Sequence, residues 1–252
     1  MVELESVISY CHERLSIDSI TDFENAQNGL QLENNGMVTK IAASVDAGLI
    51  PLQQASQVNA DFLLCHHGLF WSPITPIRDH NYKKIKIAMD HNIAVFSAHL
   101  PLDCHPEIGN NALLAKALEL EVVDTFLEYK GTNYSFICQS NGCTRSMLTE
   151  RLRALFPNTF SSILYGSETT ERIAVLTGSG QSAVPYLKAN NIDTLITGEL
   201  KQHHFNMAQE LGLNLYPCGH YATETFGVKG LAEELANHFK IEWTFLEQDC
   251  LI

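Results

Sequence analysis

Histidines and carboxylates recur in this chain in short clusters that suit metal-ion chemistry. Two histidines stand together in Cys65-His66-His67-Gly68. Two further segments, His99-Leu100-Pro101-Leu102-Asp103 and His220-Tyr221-Ala222-Thr223-Glu224, share the pattern His-x-x-x-acid, and Gly198-Glu199 adds a carboxylate. Imidazole nitrogens and carboxylate oxygens form a ligand set for borderline or hard divalent ions: Zn, Mn, Fe, Co or Ni. His66, His67, His99, Asp103, Glu199, His220 and Glu224 exceed what one tetrahedral ion needs. Two ions per subunit, roughly 3.5–4 Å apart and bridged by a carboxylate or a water, would use them better. A water shared by two cations loses a proton near neutral pH, so such a centre offers a nucleophile beside a Lewis acid.

Each cluster also has a plainer reading. Adjacent residues of a regular strand point to opposite faces, so His66 and His67 can both ligate only where the chain turns, which Gly68 permits. His220 and Glu224 alone would suit a contact in a helix's first turn. His99 fits a ligand or a hydrogen-bond partner of one. Cys65, Cys104 and Cys218 flank the clusters, but their spacing matches no structural zinc pattern. His203-His204 read as surface or subunit contacts. Gly178-Ser179-Gly180-Gln181-Ser182 reads as a turn entering a helix, whose amides could hold an anion or simply be capped.

The elements that position these residues follow from an internal repeat. Shifted by 132 residues, Lys40-Ile41-Ala42 falls on Arg172-Ile173-Ala174, Asn59 on Asn191, Asp61 on Asp193 and Leu63 on Leu195. Each copy reads as strand, helix, strand: strands 41–45 and 62–65 with helix 49–58, and strands 173–177 and 194–197 with helix 182–190. A connection of that length implies a parallel βαβ unit. Further on, 93–98 matches 214–219, and Thr125-Phe126-Leu127-Glu128 matches Thr244-Phe245-Leu246-Glu247 identically. Helical patterns at 110–120 and 227–239 precede the tetrapeptides, and helix 3–15 matches 144–156. The chain therefore reads as two α/β repeats, 1–129 and 130–252, with mostly parallel mixed sheets. Ligands of parallel sheets bind beyond the carboxyl ends of the strands, and the clusters above sit at those ends. The metal site is accordingly expected between the two repeats.

Composition narrows the function classes. The 252 residues carry 16 Lys plus Arg against 29 Asp plus Glu, a net charge of −13. That balance argues against a nucleic-acid binder, which needs a basic face, and against attachment to anionic lipid. The start Met1-Val2-Glu3-Leu4-Glu5 is acidic, and no apolar run approaches the ~18 residues of a membrane span, so a cytoplasmic location is expected. Seven cysteines without a paired framework read as reduced thiols. No Gly-x-Ser-x-Gly elbow is present, which disfavours a serine hydrolase.

Taken together, Asn28-Gly29-Leu30-Gln31, His66-His67-Gly68-Leu69-Phe70-Trp71, His99 to Asp103, Gly109-Asn110-Asn111, Gly178 to Ser182, Thr197-Gly198-Glu199 and Gly219 to Glu224 resemble the GTP cyclohydrolase I type 2 family, the Nif-three-like dinuclear metal-binding proteins. The motifs occur in order over nearly the whole chain. The resemblance implies a duplicated α/β fold whose copies are intertwined, a dinuclear metal site, and a ring-shaped homohexamer. It places the metal ligands on His66, His67, Asp103, His220 and Glu224, with His99 beside them. It implies metal-dependent hydrolysis of a purine nucleotide: opening of the guanine imidazole ring of GTP, with formate released and the triphosphate retained. Glu199 is then the candidate catalytic base. The alternatives are another metal-dependent phosphoesterase, or a non-catalytic protein that handles metal or acts as a scaffold.

Overall fold

The computed structural model describes residues 1–71 and 75–251. It divides into two compact units: residues 1–102 with 227–248, and residues 103–226 with 249–252. Among the described residues no helix is long and apolar enough to cross a membrane.

The first unit is built on a five-stranded sheet. Its strands are β2 (Gly29–Leu32), β4 (Lys40–Asp46), β5 (Phe62–His67), β6 (Ala94–Ser97) and β13 (Glu242–Phe245), in the order β13-β4-β5-β6-β2. All neighbours are parallel except β2 against β6. A small ribbon, β1 (Val2–Glu3) on β3 (Met37–Val38), precedes it. The central strands are apolar on both faces, as a covered parallel sheet requires. Ala42, Leu63, Cys65 and Val95 bury against Leu52 and Ala55 of α2 (Leu49–Gln57), Ala88 of α3 (Asp79–Asp90) and Leu246. Helices α1 (Leu4–Leu15) and α9 (Thr225–Phe239) are tied to each other, with Arg14 and Tyr10 both donating to the Glu234 carboxylate at 2.7 and 2.8 Å.

The second unit carries a six-stranded sheet. Its strands are β7 (Glu121–Tyr129), β8 (Thr132–Gln139), β9 (Ile163–Leu164), β10 (Arg172–Ser179), β11 (Thr194–Glu199) and β12 (Asn214–Pro217), in the order β7-β8-β10-β11-β12-β9. Only β10-β11 and β11-β12 are parallel. This sheet is thus mixed, with two parallel and three antiparallel pairs, where the first is mostly parallel. Side chains alternate between its faces. Ile173, Val175 and Ile196 pack on α5 (Asn110–Ala117) and α6 (Arg145–Leu155), while Ala174, Leu176 and Leu195 pack on Val184, Leu187 and Ala208 of the opposite layer. The remaining helices are α4 (Leu100–Asp103), α7 (His204–Leu211) and α8 (His220–Thr223).

Two differences from the sequence reading have physical causes. Residues 182–190 form two 3₁₀ turns, Val184–Tyr186 and Lys188–Asn190, in place of one helix. Pro185 lacks an N–H and disfavours the helical conformation of Val184, so the segment closes with three-residue bonds such as Tyr186 N to Ala183 O. The second difference is β8, which has no counterpart in the first sheet among the described residues and joins β7 through a two-residue turn at Lys130-Gly131. Residues 129 and 130 therefore lie inside a hairpin of the second unit. The twin tetrapeptides also part company: Thr125 to Glu128 stays with β10's sheet, whereas Thr244-Phe245 pairs with Ala42-Ala43 of the first.

Candidate functional site

In the first unit, His66 and His67 close strand β5 and His99 follows β6. Neighbouring parallel strands deliver all three to one sheet edge. One ring nitrogen from each lies within 4.8 Å of the others. His66 and His99 are buried and His67 half-buried. The strand persists through His67, paired with Asp46, and the chain departs only at Gly68. A Cβ on Gly68 would collide with the Gln31 amide, whose oxygen accepts from the Leu69 N–H at 2.6 Å.

Each of these imidazoles has its Nδ1 engaged by an oxygen that can only accept. His66 Nδ1 donates to the Ala98 carbonyl at 2.8 Å. His67 Nδ1 donates to Asp46 Oδ1 at 3.0 Å, and His99 Nδ1 to both Asp22 oxygens at 2.9 and 3.1 Å. In a neutral ring that arrangement fixes the tautomer and puts the lone pair on Nε2, the form in which a histidine ligates a metal. Asp22 is itself held by the Asn28 amide at 2.8 Å and the Leu100 N–H at 2.9 Å. Burial would push its carboxyl up, but the His99 hydrogen bond and charge, then Asn28 and Leu100, hold it below the ordinary value.

The second unit gathers a complementary set. His220, the first residue of α8, places Nε2 3.1 Å from Glu224 Oε1 and Nδ1 3.4 Å from Glu199 Oε1 at the end of β11. Glu224 is buried. Burial alone would lower the His220 pKa, but Glu224 and then Glu199 raise it to about 9. Without a metal, His220 is an imidazolium held between two carboxylates, and an ion taking that nitrogen must displace its proton. Two glycines let the strand ends meet here. Gly178, at φ +65°, has no room for a Cβ beside the Glu224 carboxylate, and a Cβ on Gly198 would strike the Gly178 carbonyl. Asp103 belongs to this unit. Its Oδ1 accepts from the buried Asn110 amide at 2.8 Å, and Asn111 spans the Asp103 carbonyl and the Thr177 N–H at 3.2 and 2.8 Å.

The structure thus brings His66, His67 and His99 together in one unit and His220, Glu224 and Glu199 in the other, with Asp103 oriented by Asn110. The donors fit a divalent ion of the borderline or hard class: nitrogen and carboxylate oxygen, with tautomers set by their partners. Among the described residues neither cluster of candidate ligands includes a cysteine; burial pushes the Cys65 thiol up, and the Cys218 thiol up to about 12. His204 corrects its surface reading: it is buried, and its Nδ1 accepts from the Lys201 N–H at 3.0 Å. Gly178 to Ser182 is a turn in which the Gly180 N–H donates to the Glu199 carbonyl, and no regular helix follows. Asp22, Asp46 and the roles of Asn28 and Gln31 were not legible as site residues. Asp46 had a signal in the strand register, which puts it opposite His67, and Asn28 and Gln31 had one in the motif they share.

A family model described as Duf34/NIF3 (NGG1p interacting factor 3) matches residues 2–250. A Deinococcus radiodurans protein named GTP cyclohydrolase 1 type 2 homolog is 35% identical over 246 residues, covering 96% of this chain and 92% of its own. A Pyrococcus abyssi protein of the same name is 34% identical over 251 residues, covering 98% of each chain. The crystal structure of TTHA1606 from Thermus thermophilus superposes with a TM-score of 0.89 at 33% identity, covering all of both chains.

Proposed function

The chain belongs to the Duf34/NIF3 family, and from that premise we propose that it binds two divalent metal ions and hydrolyses a purine nucleotide, as a GTP cyclohydrolase I type 2 would. The observation that carries this reading is the set of three imidazoles whose Nδ1 atoms are each held by an oxygen acceptor. Surface histidines have no need of such pairing; ligating histidines characteristically have it. The relatives' shared name supports the choice of GTP.

In this reading His66, His67, Asp103, His220 and Glu224 hold the ions, and His99 ligates or hydrogen-bonds beside them. Divalent ions supply Lewis acidity and lower the pKa of a water. The protein's own residues do the rest. Asp46 and Asp22 keep the rings of His67 and His99 turned, so no rearrangement is needed when the charge arrives. Asn110 holds one Asp103 oxygen and so aims the other. Glu199, 3.4 Å from His220 Nδ1, serves as catalytic base or as the group that orients His220. An E199Q variant separates the two: loss of a base lowers turnover with metal content unchanged, whereas loss of orientation lowers metal content. Assembly as a homohexamer is part of the same proposal, and the mass in solution tests it.

The decisive experiment incubates GTP with Zn-, Mn- and Fe-loaded protein and reads products by mass spectrometry, with a D103A/E224A variant alongside. Formate plus a product retaining its triphosphate, lost in the variant, is the expected result. GDP or GMP would replace this reading by phosphoester hydrolysis. Intact GTP under every metal would replace it by metal handling.

A further inference from the structure

Two large aromatic side chains that touch the histidine cluster of the first unit stay partly open to solvent. Trp71 is 41% exposed and Phe23 38%. Trp71 leans on two members of the cluster, its ring 4.6 Å from that of His99 at 76° and 5.2 Å from that of His67 at 66°. Phe23 touches the His99 ring as well, at 5.8 Å. Near-perpendicular packing on both imidazoles fixes the plane of the indole, while two-fifths of its surface remains uncovered. An apolar ring of that size, held still and partly open beside polar groups, presents a flat surface that a ligand's ring can cover.

We propose that Trp71 is the stacking platform for the flat heteroaromatic ring of the substrate, a nucleobase, and thereby sets specificity for a base-bearing ligand over a bare polyphosphate. The proposal rests on the purine-nucleotide reading above and names the residue that would select the purine. Charge points to the same partner. A net charge of −13 disfavours a polyanion held by its phosphates alone, whereas stacking is indifferent to charge, and every base has a π face. A ring lying on this indole is adjacent to His99 and His67, so the base is brought to the ligand set.

The chain has two tryptophans, Trp71 and Trp243, so W243F leaves Trp71 as the sole indole reporter. Metal-loaded W243F is titrated with guanosine, GTP and inorganic tripolyphosphate while fluorescence is followed. Binding of GTP to W71A and W71F is measured by equilibrium dialysis, with metal content and solution mass recorded for each. The expected result is quenching by guanosine and GTP but not by tripolyphosphate. W71A should bind GTP roughly 5- to 150-fold more weakly, the range for loss of one base stack, with W71F restoring most of the affinity and metal content unchanged. Unaltered GTP affinity in W71A, or no quenching by guanosine or GTP, overturns the proposal. So does metal loss in step with weakened binding, which makes Trp71 a prop for the histidines, or a fall in mass with affinity intact, which makes it a subunit contact. The two readings fail separately. Formate release with an unchanged KM in W71A defeats only the stacking platform; Trp71-dependent base binding without turnover defeats only the hydrolase.

Discussion

The oxygen acceptor behind each imidazole decides how the site behaves. Asp22 holds His99 from a distance of 77 residues in sequence. Replacing it with alanine leaves a buried ring without its acceptor, and D22A is expected to lower metal affinity about 10- to 100-fold, the usual effect of removing such a partner. Competition with a chromophoric chelator measures it; unchanged affinity would show that His99 takes no part in holding the ions. His220 sets a pH signature. Its pKa rises from 6.5 to about 9 on folding, so in the metal-free protein its pairing stabilises fully below about 6.5 and is lost as pH climbs through about 9. Denaturation of the metal-free protein across that window should show falling stability, flattened in H220A. Metal uptake between pH 6.5 and 9 should release protons into a weakly buffered solution. The ligand candidates themselves were legible because histidine and carboxylate types announce their chemistry. Their partners were not: Asp22 looks like an ordinary loop residue, and Asn28 belongs to a recognisable motif without an assigned role, until the fold sets them against His99 and Leu100.

At the scale of elements, glycine governs how closely strand ends can meet. G178A is expected to cost at least about 1–3 kcal/mol, because a left-handed backbone must now carry a Cβ. It should also lower metal content, because that Cβ occupies the space of the Glu224 carboxylate. Thermal denaturation and metal analysis test the two effects together; a variant that loses stability but keeps its metal would separate Glu224 from the ligand set. The parallel strands were legible because both faces are buried and the sequence shows it as short apolar runs: Ile41 to Val45, Phe62 to Cys65, Ile173 to Leu176. The β7–β8 hairpin was not. Its turn, Lys130-Gly131, has positive φ at both positions, 46° and 87°, the conformation of a tight two-residue hairpin loop. Lysine is a poor advertisement for it, and Gly131 to Thr144 reads as a moderately polar connection. The missing helix at 182–190 shows the converse: apolar spacing suggested a helix, and one proline outweighed it.

For the molecule as a whole, the first unit depends on residues from both ends of the chain. Strand β13 pairs with β4, Leu246 donates its N–H to Ala43 at 2.8 Å, and its side chain is buried beside Leu52 and Ala55. L246A should cost about 2–5 kcal/mol, as for other buried leucines. Ending the chain after Phe239 should remove protection of β4 amides from hydrogen exchange while β10 and β11 keep theirs. Equal loss in both sheets would mean that the two units unfold as one. The duplication was visible as a repeat of sequence, but a repeat reports ancestry and not partnership, so nothing in Thr244-Phe245 said that it would pair with Ala42-Ala43. The arrangement bears on the order of events during synthesis. Residues 103–226, the bulk of the second unit, are a continuous stretch whose strands all emerge in succession, whereas β4 waits about 200 residues for its outer neighbour, on the order of 10–40 s at ordinary elongation rates. During that interval the edge of β4 lacks β13, its partner in the finished sheet, and by its close every strand of the second sheet has already been made.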